Sequence, residues 1–289
     1  MKILIINIGP YGDVLRTTIL LNEFKEDEVY WLTSENNKDI LQSKYIKKLF
    51  FIENFDYDIF NFYFDKVISL NEEYCDITNN LKYKQLIGVF KNVDEIDYTE
   101  DSSYWFDMSL ISKLGKEKAN DLKKDNRLSY NQILIEMVGG KWIEQKYILD
   151  VEKLEGTKIG LIVDVEGIWK SKKWNYFDPL NFALRTTDGF EVKNLAMRDN
   201  ILEHIQDINE CDLIVCPDTF GMHIGIALEK KVIALFNSTS PHEIYDYGKL
   251  VKIVSPLYET FFYTKEYNVE LSESIKMRKV SEEIKKLLS

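Results

Sequence analysis

The sequence predicts an α/β fold with parallel sheets, because short apolar runs alternate with amphipathic segments in both halves of the chain. The clearest stretch, residues 211–236, reads CDLIVCPDTFGMHIGIALEKKVIALF and predicts a strand, a turn, a helix and a second strand. Two strands joined by a helix in so short a stretch form a βαβ unit, whose strands run parallel.

The predicted elements divide the chain into two domains, residues 1–150 and 151–289, with the linker within 141–157. In the first domain we predict strands at 3–8, 29–33, 49–52, 66–70 and 86–90, and helices at 13–24, 39–47, around 104–114 and at 130–138. In the second domain we predict strands at 159–163, 212–216 and 232–236, and helices at 179–185, 201–209, from the 218–219 turn to 228, and at 281–288.

Composition narrows the class of protein. Of 289 residues, 45% are hydrophobic, so the chain can bury substantial cores and is not expected to be disordered. The net charge of −11 argues against nonspecific nucleic-acid binding, which needs clustered lysines and arginines. Cys75, Cys211 and Cys216 are too few and wrongly spaced for a disulfide framework or a zinc knuckle, and fit a reducing cytosol. The first apolar run meets Gly-Pro early, which predicts a buried strand and not a signal peptide or membrane span.

The first candidate site is the turn Gly9-Pro10-Tyr11-Gly12-Asp13, between the first strand and the first helix. A carboxylate in the first turn of a helix is stabilised in its charged form by the helix dipole, so Asp13 is suited to act as a base. The alternative is that Asp13 only caps the helix. The turn lacks the third glycine and the spacing of a dinucleotide-binding fingerprint.

The second candidate site is Trp169-Lys170-Ser171-Lys172-Lys173-Trp174, which follows a predicted strand. Three cations between two indoles can hold a diphosphate beside an aromatic wall. The alternative is a solvated charged loop whose tryptophans pack inward.

The third candidate site is the turn that contains Asp218, Thr219 and His223. Parallel sheets bind ligands at the C-terminal ends of their strands, where the next helix offers N–H groups and partial positive charge, so this turn suits a phosphate-bearing ligand. Alternatively, Thr219 is a helix N-cap and His223 a satisfied helix residue. With three histidines in the chain, a histidine-rich metal site is not favoured. There is no GxxxxGK[ST] loop and no nucleophile elbow.

These three segments, in this order, resemble glycosyltransferase family 9, the heptosyltransferase-like enzymes of bacterial surface-glycan assembly. MKILIINIGPYGDVLRTTIL is similar to the family's first strand, Gly-Asp turn and first helix, and WKSKKW to its donor-phosphate lysine segment. CDLIVCPDTFGMHIGIALEKKVIALFNSTSP is similar to its Asp-Thr-Gly-x-x-His block and Thr-x-Pro turn. The resemblance covers most of the chain, strongly at these segments and thinly between them.

The resemblance implies a GT-B fold, in which two Rossmann-like domains face a cleft. The acceptor would bind mainly the N-terminal domain, with Tyr11 and Gly12 on its side, and the nucleotide-sugar mainly the C-terminal domain. Asp13 would be the general base that deprotonates the acceptor hydroxyl. The donor-binding residues would be Lys172, Asp218, Thr219, Phe220, Gly221 and His223, with the N–H groups of residues 219–221 on the phosphates.

The implied reaction is a single displacement with inversion at the anomeric carbon, in the cytoplasm. The donor would be a nucleotide-sugar, with ADP-heptose among the candidates, and the acceptor a glycan or a lipid-linked glycan. The family needs no cofactor and no bound divalent metal, because the helix dipole and the lysine stabilise the departing diphosphate. A lipid-linked acceptor would require peripheral membrane contact, although no strongly basic amphipathic helix is evident. The sequence leaves the oligomeric state open.

The chain departs from the family pattern at several points. Phe220 replaces the glycine after Asp-Thr, Asn175 replaces a proline, and the turn at 237–241 reads NSTSP and not Gly-Pro-Thr-Asp-Pro. The stretch from 174 to 218 is short, and we expect it to lack a strand–helix unit that often gives the donor ribose a carboxylate, so the C-terminal domain is shortened. An alternative therefore stays open, a catalytically inactive nucleotide- or glycan-binding partner protein. A sugar-nucleotide epimerase is disfavoured by the missing Gly-rich fingerprint.

Overall fold

A computed structural model describes residues 1–93, 95–165 and 167–289 of the chain. The chain divides into two compact units, Met1–Asp150 and Val151–Ser289. Each unit has its own sheet of mainly parallel strands and its own apolar core, which confirms the predicted α/β class with Rossmann-like units.

Among the described residues, the first unit contains a sheet of six strands in the order β3-β2-β1-β4-β5-β6, in which only β5 and β6 pair antiparallel. The strands are β1 (Lys2–Ile6), β2 (Glu28–Thr33), β3 (Ile46–Phe51), β4 (Tyr63–Ser69), β5 (Lys82–Asn92) and β6 (Glu95–Tyr98). The helices are α1 (Tyr11–Thr17), α2 (Ser103–Phe106), α3 (Lys116–Asp125) and α4 (Tyr130–Met137). This strand order places the ligand-binding edge at the C-terminal ends of β1 and β4, where the order reverses.

The burial of the central strand β1 explains why the first apolar run of the sequence predicted a strand. Ile3, Leu4, Ile5 and Ile6 are fully buried, because β1 pairs with β2 on one side and β4 on the other and both faces are covered. A strand buried on both faces reads as a continuous apolar run and not as an alternation.

The second unit contains a five-stranded, fully parallel sheet in the order β11-β10-β9-β7-β8. The strands are β7 (Lys158–Leu161), β8 (Val192–Asn194), β9 (Cys211–Pro217), β10 (Lys231–Phe236) and β11 (Leu250–Val254). The helices are α5 (Phe177–Thr186), α6 (Ile201–Asn209), α7 (Phe220–Ala227), α8 (Val269–Ser272) and α9 (Met277–Leu288). This is one of the two common strand orders of doubly wound parallel sheets. The point where the strand order reverses, the switch point, lies between β7 and β9.

The predicted βαβ unit is present as β9, α7 and β10, with Ile214 opposite Val232 in parallel register. Two glycines let α7 pack closely on the sheet. A Cβ at Gly221 would lie 2.2 Å from Ile162 Cδ1, and one at Gly225 would lie 2.9 Å from Val232 Cγ2. A side chain at either position would require Ile162 or Val232, or the helix itself, to shift.

Three predicted helices differ from the structure. Of the helix expected around 104–114, only Ser103–Phe106 forms, and turns follow it. Residues 39–45 form turns and irregular chain and not a helix, and Ile46 already begins β3. The predicted helix 13–24 ends as an α-helix at Thr17 and continues as a 3₁₀ segment, Thr18–Asn22. Thr17 and Thr18 donate their hydroxyls to the carbonyls of Asp13 and Leu15 at 2.7 Å, and such bonds bend or shorten helices.

Several elements had no clear signal in the sequence, and one of them bears on the donor side. Between Trp174 and Asp218 the chain forms α5, β8, α6 and β9, so this stretch does contain one strand–helix unit, β8–α6. β8 has only three residues, which is too short for a periodicity to show. Over the described residues the second sheet has five strands and the first sheet has six.

No helix within the described ranges has both the length and the apolar composition that a bilayer span requires.

Candidate active site

The loops after β7 and β9 meet through an ion pair between Lys172 and Asp218. Lys172 Nζ lies 3.0 Å from Asp218 Oδ2 and also donates to the Asp218 carbonyl oxygen at 2.7 Å. Each side chain is 14% exposed. The structure therefore brings two of the predicted site residues together at the switch point of the second sheet, where such sheets bind ligands.

Asp218 has a second partner from the loop after β10. The hydroxyl of Thr239 donates to Asp218 Oδ2 at 2.7 Å. Burial raises the pKa of Asp218, but the positive charges of Lys172 and His223, with the hydrogen bonds from Thr239 and Lys172, outweigh it and bring the pKa to about 2. Asp218 is therefore a carboxylate at neutral pH, suited to orient Lys172 and not to donate a proton.

Lys172 ends a 3₁₀ turn that begins at Lys170, and the loop after β10 holds this turn in place. The hydroxyls of Ser171 and Ser238 lie 2.8 Å apart, and both residues are buried. Asn237 Nδ2 donates to the carbonyl oxygen of Ser171 at 3.2 Å. The 237–241 turn, where the sequence departs from the family pattern, thus holds the 3₁₀ turn that carries Lys172.

The two tryptophans of WKSKKW have different roles. Trp174 is buried, and its indole N–H donates to the Ile275 carbonyl oxygen at 2.8 Å, so it belongs to the core as one alternative expected. Trp169 is half-buried, and Lys172 Nζ lies 5.3 Å from its ring centroid. Only Trp169 can form the predicted aromatic wall.

Thr219 occupies the N-cap position of α7, with an extended backbone and no side-chain capping bond. Its hydroxyl instead donates to the Pro217 carbonyl oxygen at 3.4 Å. Helical geometry leaves the first N–H groups of a helix without an intrahelical acceptor, and such termini bind phosphates. The assignment of the N–H groups of residues 219–221 to phosphates remains a prediction.

Three further predicted residues lie on α7. Gly221 is buried against Ile162, so this glycine serves close packing. His223 is 6% exposed, and its charge acts on Asp218. The ring of Phe220, which replaces the family glycine, stacks at 6.3 Å from the ring of His204 on α6. The replacement therefore adds an aromatic contact between two helices at the candidate donor site.

In the first unit, Asp13 lies at the start of α1. The N-cap of this helix is Pro10, so Asp13 is the third helical residue and not the cap. Its carboxylate pairs with Arg16, with 2.7 Å between Asp13 Oδ1 and Arg16 Nη2. The side chain of Asp13 is 45% exposed, so a substrate can reach it. Tyr11 and Gly12 open the same helix and are half-buried.

Arg16 is itself held by an aromatic side chain from α4. Its guanidinium carbon lies 3.8 Å from the ring centroid of Tyr130, and Trp105 contacts Tyr130 edge-on at 4.5 Å between centroids. Arg16 is 14% exposed, so it packs beneath the carboxylate that it pairs with. A cation over an aromatic face is held in a defined position.

The backbone of the Gly-Asp turn is fixed by Asn7. Its Nδ2 donates to the Thr17 hydroxyl at 2.8 Å, and its Oδ1 accepts the Gly9 N–H at 3.2 Å. Asn71, which follows β4, accepts the N–H of Ile8. Beside it, burial and the charge of Glu73 raise the pKa of Glu72.

Four residues near the candidate site were not predicted from the sequence as site residues: Arg16, Thr239, Asn71 and Glu72. Arg16 had a usable signal, because positions i and i+3 share one helix face. Among the described residues, no group of three or more His, Cys, Asp or Glu side chains could hold a metal ion.

Part of the second unit matches a known protein family. The family model described as glycosyltransferase family 9 (heptosyltransferase) matches residues 178–268, which include the turn from Asp218 to His223 and the 237–241 turn. Over these residues the predicted resemblance to family 9, a family of glycosyltransferases, is confirmed. A comparison with curated protein sequences gives no match.

Solved heptosyltransferases share the fold over the whole chain. E. coli heptosyltransferase WaaC with ADP is 12% identical, with a TM-score of 0.66 over 99% of each chain. E. coli ADP-heptose lps heptosyltransferase II is 15% identical, with a TM-score of 0.67 over 100% of this chain and 98% of that one. The family 9 glycosyltransferase of Veillonella parvula is 15% identical, with a TM-score of 0.63 over 99% and 97%. These likenesses show the GT-B class of fold.

Proposed function

We propose that this heptosyltransferase-like chain is an inverting glycosyltransferase, which moves a sugar from a nucleotide-sugar to a hydroxyl acceptor. The observation that carries the proposal is the Lys172–Asp218 pair at the N-terminus of α7, within a unit that matches family 9. A fixed cation beside a helix N-terminus suits the diphosphate that leaves in such a transfer.

On the donor side, Lys172 and the N–H groups of residues 219–221 would contact the diphosphate. They would stabilise the negative charge that develops as the bond between the anomeric carbon and the phosphate oxygen breaks. Two structures similar to this chain are E. coli heptosyltransferase WaaC with ADP-2-deoxy-2-fluoro heptose and E. coli ADP-heptose lps heptosyltransferase II. ADP-heptose is therefore the first donor to test.

On the acceptor side, Asp13 would take the proton of the attacking hydroxyl while its oxygen bonds to the anomeric carbon opposite the leaving phosphate. Attack from that face inverts the anomeric configuration. Arg16 would fix the direction of the carboxylate through their 2.7 Å ion pair. Tyr11 and Gly12, which open the same helix, would lie on the acceptor side.

We place the reaction in the bacterial cytoplasm, in surface-glycan assembly, with a glycan or lipid-linked glycan as acceptor. The proposed chemistry requires neither a metal nor a cofactor, since protein cations and a helix terminus balance the charge of the leaving group. A lipid-linked acceptor would bring the protein into peripheral contact with a membrane.

The test is a panel of ADP-, GDP-, UDP- and CDP-sugars, read by thermal shift and by release of the nucleoside diphosphate. We expect ADP-heptose to raise the melting temperature, because a ligand that binds only the folded state stabilises it. We also expect release of ADP, and sugar transfer when an acceptor is present. Binding without any release of ADP would favour the alternative, a catalytically inactive partner protein. The five-stranded second sheet and the replacement of the family glycine by Phe220 are the observations that favour this alternative. Neither binding nor release with any donor would contradict the proposal.

A further inference from the structure

Two lysines from separate loops of the second unit lie near the indole ring of Trp169. Lys172 Nζ and Lys265 Nζ each lie 5.3 Å from the ring centroid of Trp169. Lys172 belongs to the loop after β7, whereas Lys265 belongs to the segment that follows β11. Two like charges share this ring although they repel each other, which an anion between them would offset.

The segment that carries Lys265 is fixed to the candidate site. The Ser171 N–H donates to the Lys265 carbonyl oxygen at 3.0 Å. The Tyr263 N–H donates to the Ser238 carbonyl oxygen at 2.8 Å, and the Tyr263 hydroxyl donates to Glu243 Oε1 at 2.5 Å. The backbone of Tyr263 is in the left-handed region, at φ 53°, which is uncommon for a residue with a Cβ. These hydrogen bonds therefore fix the position of the backbone that carries Lys265.

A further cation beside the Lys172–Asp218 pair would strengthen the hold on an anion. The ammonium of Lys172 is paired with the carboxylate of Asp218, so this pair by itself carries no net charge toward a ligand. A departing nucleoside diphosphate is strongly negative and gains charge as it leaves. In the part of the chain that the structure describes, no carboxylate lies within ion-pair distance of Lys265, and its side chain is exposed.

We infer that Lys265 is a second donor-binding cation, held beside Lys172 by Trp169 and contacting the diphosphate of the nucleotide-sugar. This inference rests on the proposed function. It assigns to the segment after β11 a part in donor binding, and it gives Trp169 the task of positioning both cations. Lys265 forms charge-assisted hydrogen bonds with phosphate oxygens, and these are about twice as strong as neutral ones.

The test compares Lys265→Met with the unaltered protein by calorimetric titration of ADP at several salt concentrations. We expect the Kd for ADP to rise about tenfold, and the fall of affinity with salt to become less steep, since one cation–phosphate contact is lost. Lys265→Arg should keep most of the affinity. Lys279→Met, which removes an exposed lysine from α9, is the matched control and should bind ADP like the unaltered protein.

An unchanged Kd and an unchanged salt dependence in Lys265→Met would overturn the inference while leaving the proposed function intact. An equal loss of affinity in Lys279→Met would also overturn it, because any lysine would then serve. If the unaltered protein bound none of ADP, GDP, UDP and CDP, the proposed function itself would fall, and the inference with it.

Discussion

Lys172 and Asp218 form a 3.0 Å salt bridge that ties the loop after β7 to the loop after β9. These two strands are neighbours at the switch point of the second sheet, so the pair stands where the fold presents ligands. Thr239 holds the carboxylate from a third loop. The ammonium group is therefore oriented before a donor arrives, and supporting contacts of this kind are what make a site effective.

Replacing Lys172 by Met should weaken donor binding and destabilise the fold. Asp218 would stay a half-buried carboxylate without its cation, and removal of one partner of a buried pair costs about 3–5 kcal/mol. Because the pair is not fully buried, we expect a loss of about 2–3 kcal/mol in urea unfolding. The double variant Lys172→Met with Asp218→Asn should recover part of the stability but not the donor affinity. Equal stability of the single and double variants would show that the pair does not act as described.

Acid should destabilise the second unit through Asp218. Its pKa in the folded protein is about 2, below the ordinary value of 3.8, so the unfolded chain binds the proton more readily. The stabilisation is fully present above about pH 4 and is lost as the pH falls toward 2, with a size of about 2 kcal/mol. Urea unfolding of the wild type and of Asp218→Asn between pH 2 and 5 isolates this component. If both proteins lost stability equally over that range, the low pKa would be refuted.

Gly221 should not tolerate a side chain while Ile162 is in place. A Cβ there would lie 2.2 Å from Ile162 Cδ1, so Gly221→Ala should cost about 1–3 kcal/mol although alanine favours helices. Ile162→Val removes the offending Cδ1. The double variant should therefore be more stable than the two separate losses predict, as a double-mutant cycle would show. Additive losses would mean that this contact does not limit the position.

Arg16 should position the Asp13 carboxylate for transfer. Arg16→Gln removes the cation that holds the carboxylate at 2.7 Å, so kcat/KM should fall by about ten- to a hundredfold. Tyr130→Leu would remove the aromatic face under the guanidinium, and we expect a smaller loss of kcat/KM. Tyr130→Phe keeps the ring and is the control. An unchanged kcat/KM in Arg16→Gln would exclude this role.

The sequence predicted best those strands that contain an apolar run long enough to recognise. β9 is apolar from Leu213 onward and β10 from Val232 onward, because both faces of a central parallel strand are covered, and Pro217 marks the end of β9. β8, with three residues, carries no such pattern. The predicted helix at 39–47 failed because Ile40 and Leu41 are buried within turns, where their positions imitate a helical face.

The candidate site could be predicted residue by residue but not as a set of contacts. Lys172 and Asp218 each stood in a recognisable segment, yet their pairing is a product of strand order, which brings the ends of β7 and β9 together. The contact of Lys265 with Trp169 had no sequence signal, because it depends on how the segment after β11 returns over the sheet. Asp13 and Arg16, three positions apart on one helix, were within reach of the sequence.

Turnover of ADP-heptose by Asp13→Asn tests the proposed reaction most directly, with donor affinity measured on the same preparation. Asparagine keeps the size of the side chain and removes its capacity as a base. We expect the rate of transfer to fall by about 10²–10⁴ while the Kd for the donor stays within about twofold. Undiminished transfer by Asp13→Asn would contradict the assignment of the base at this turn.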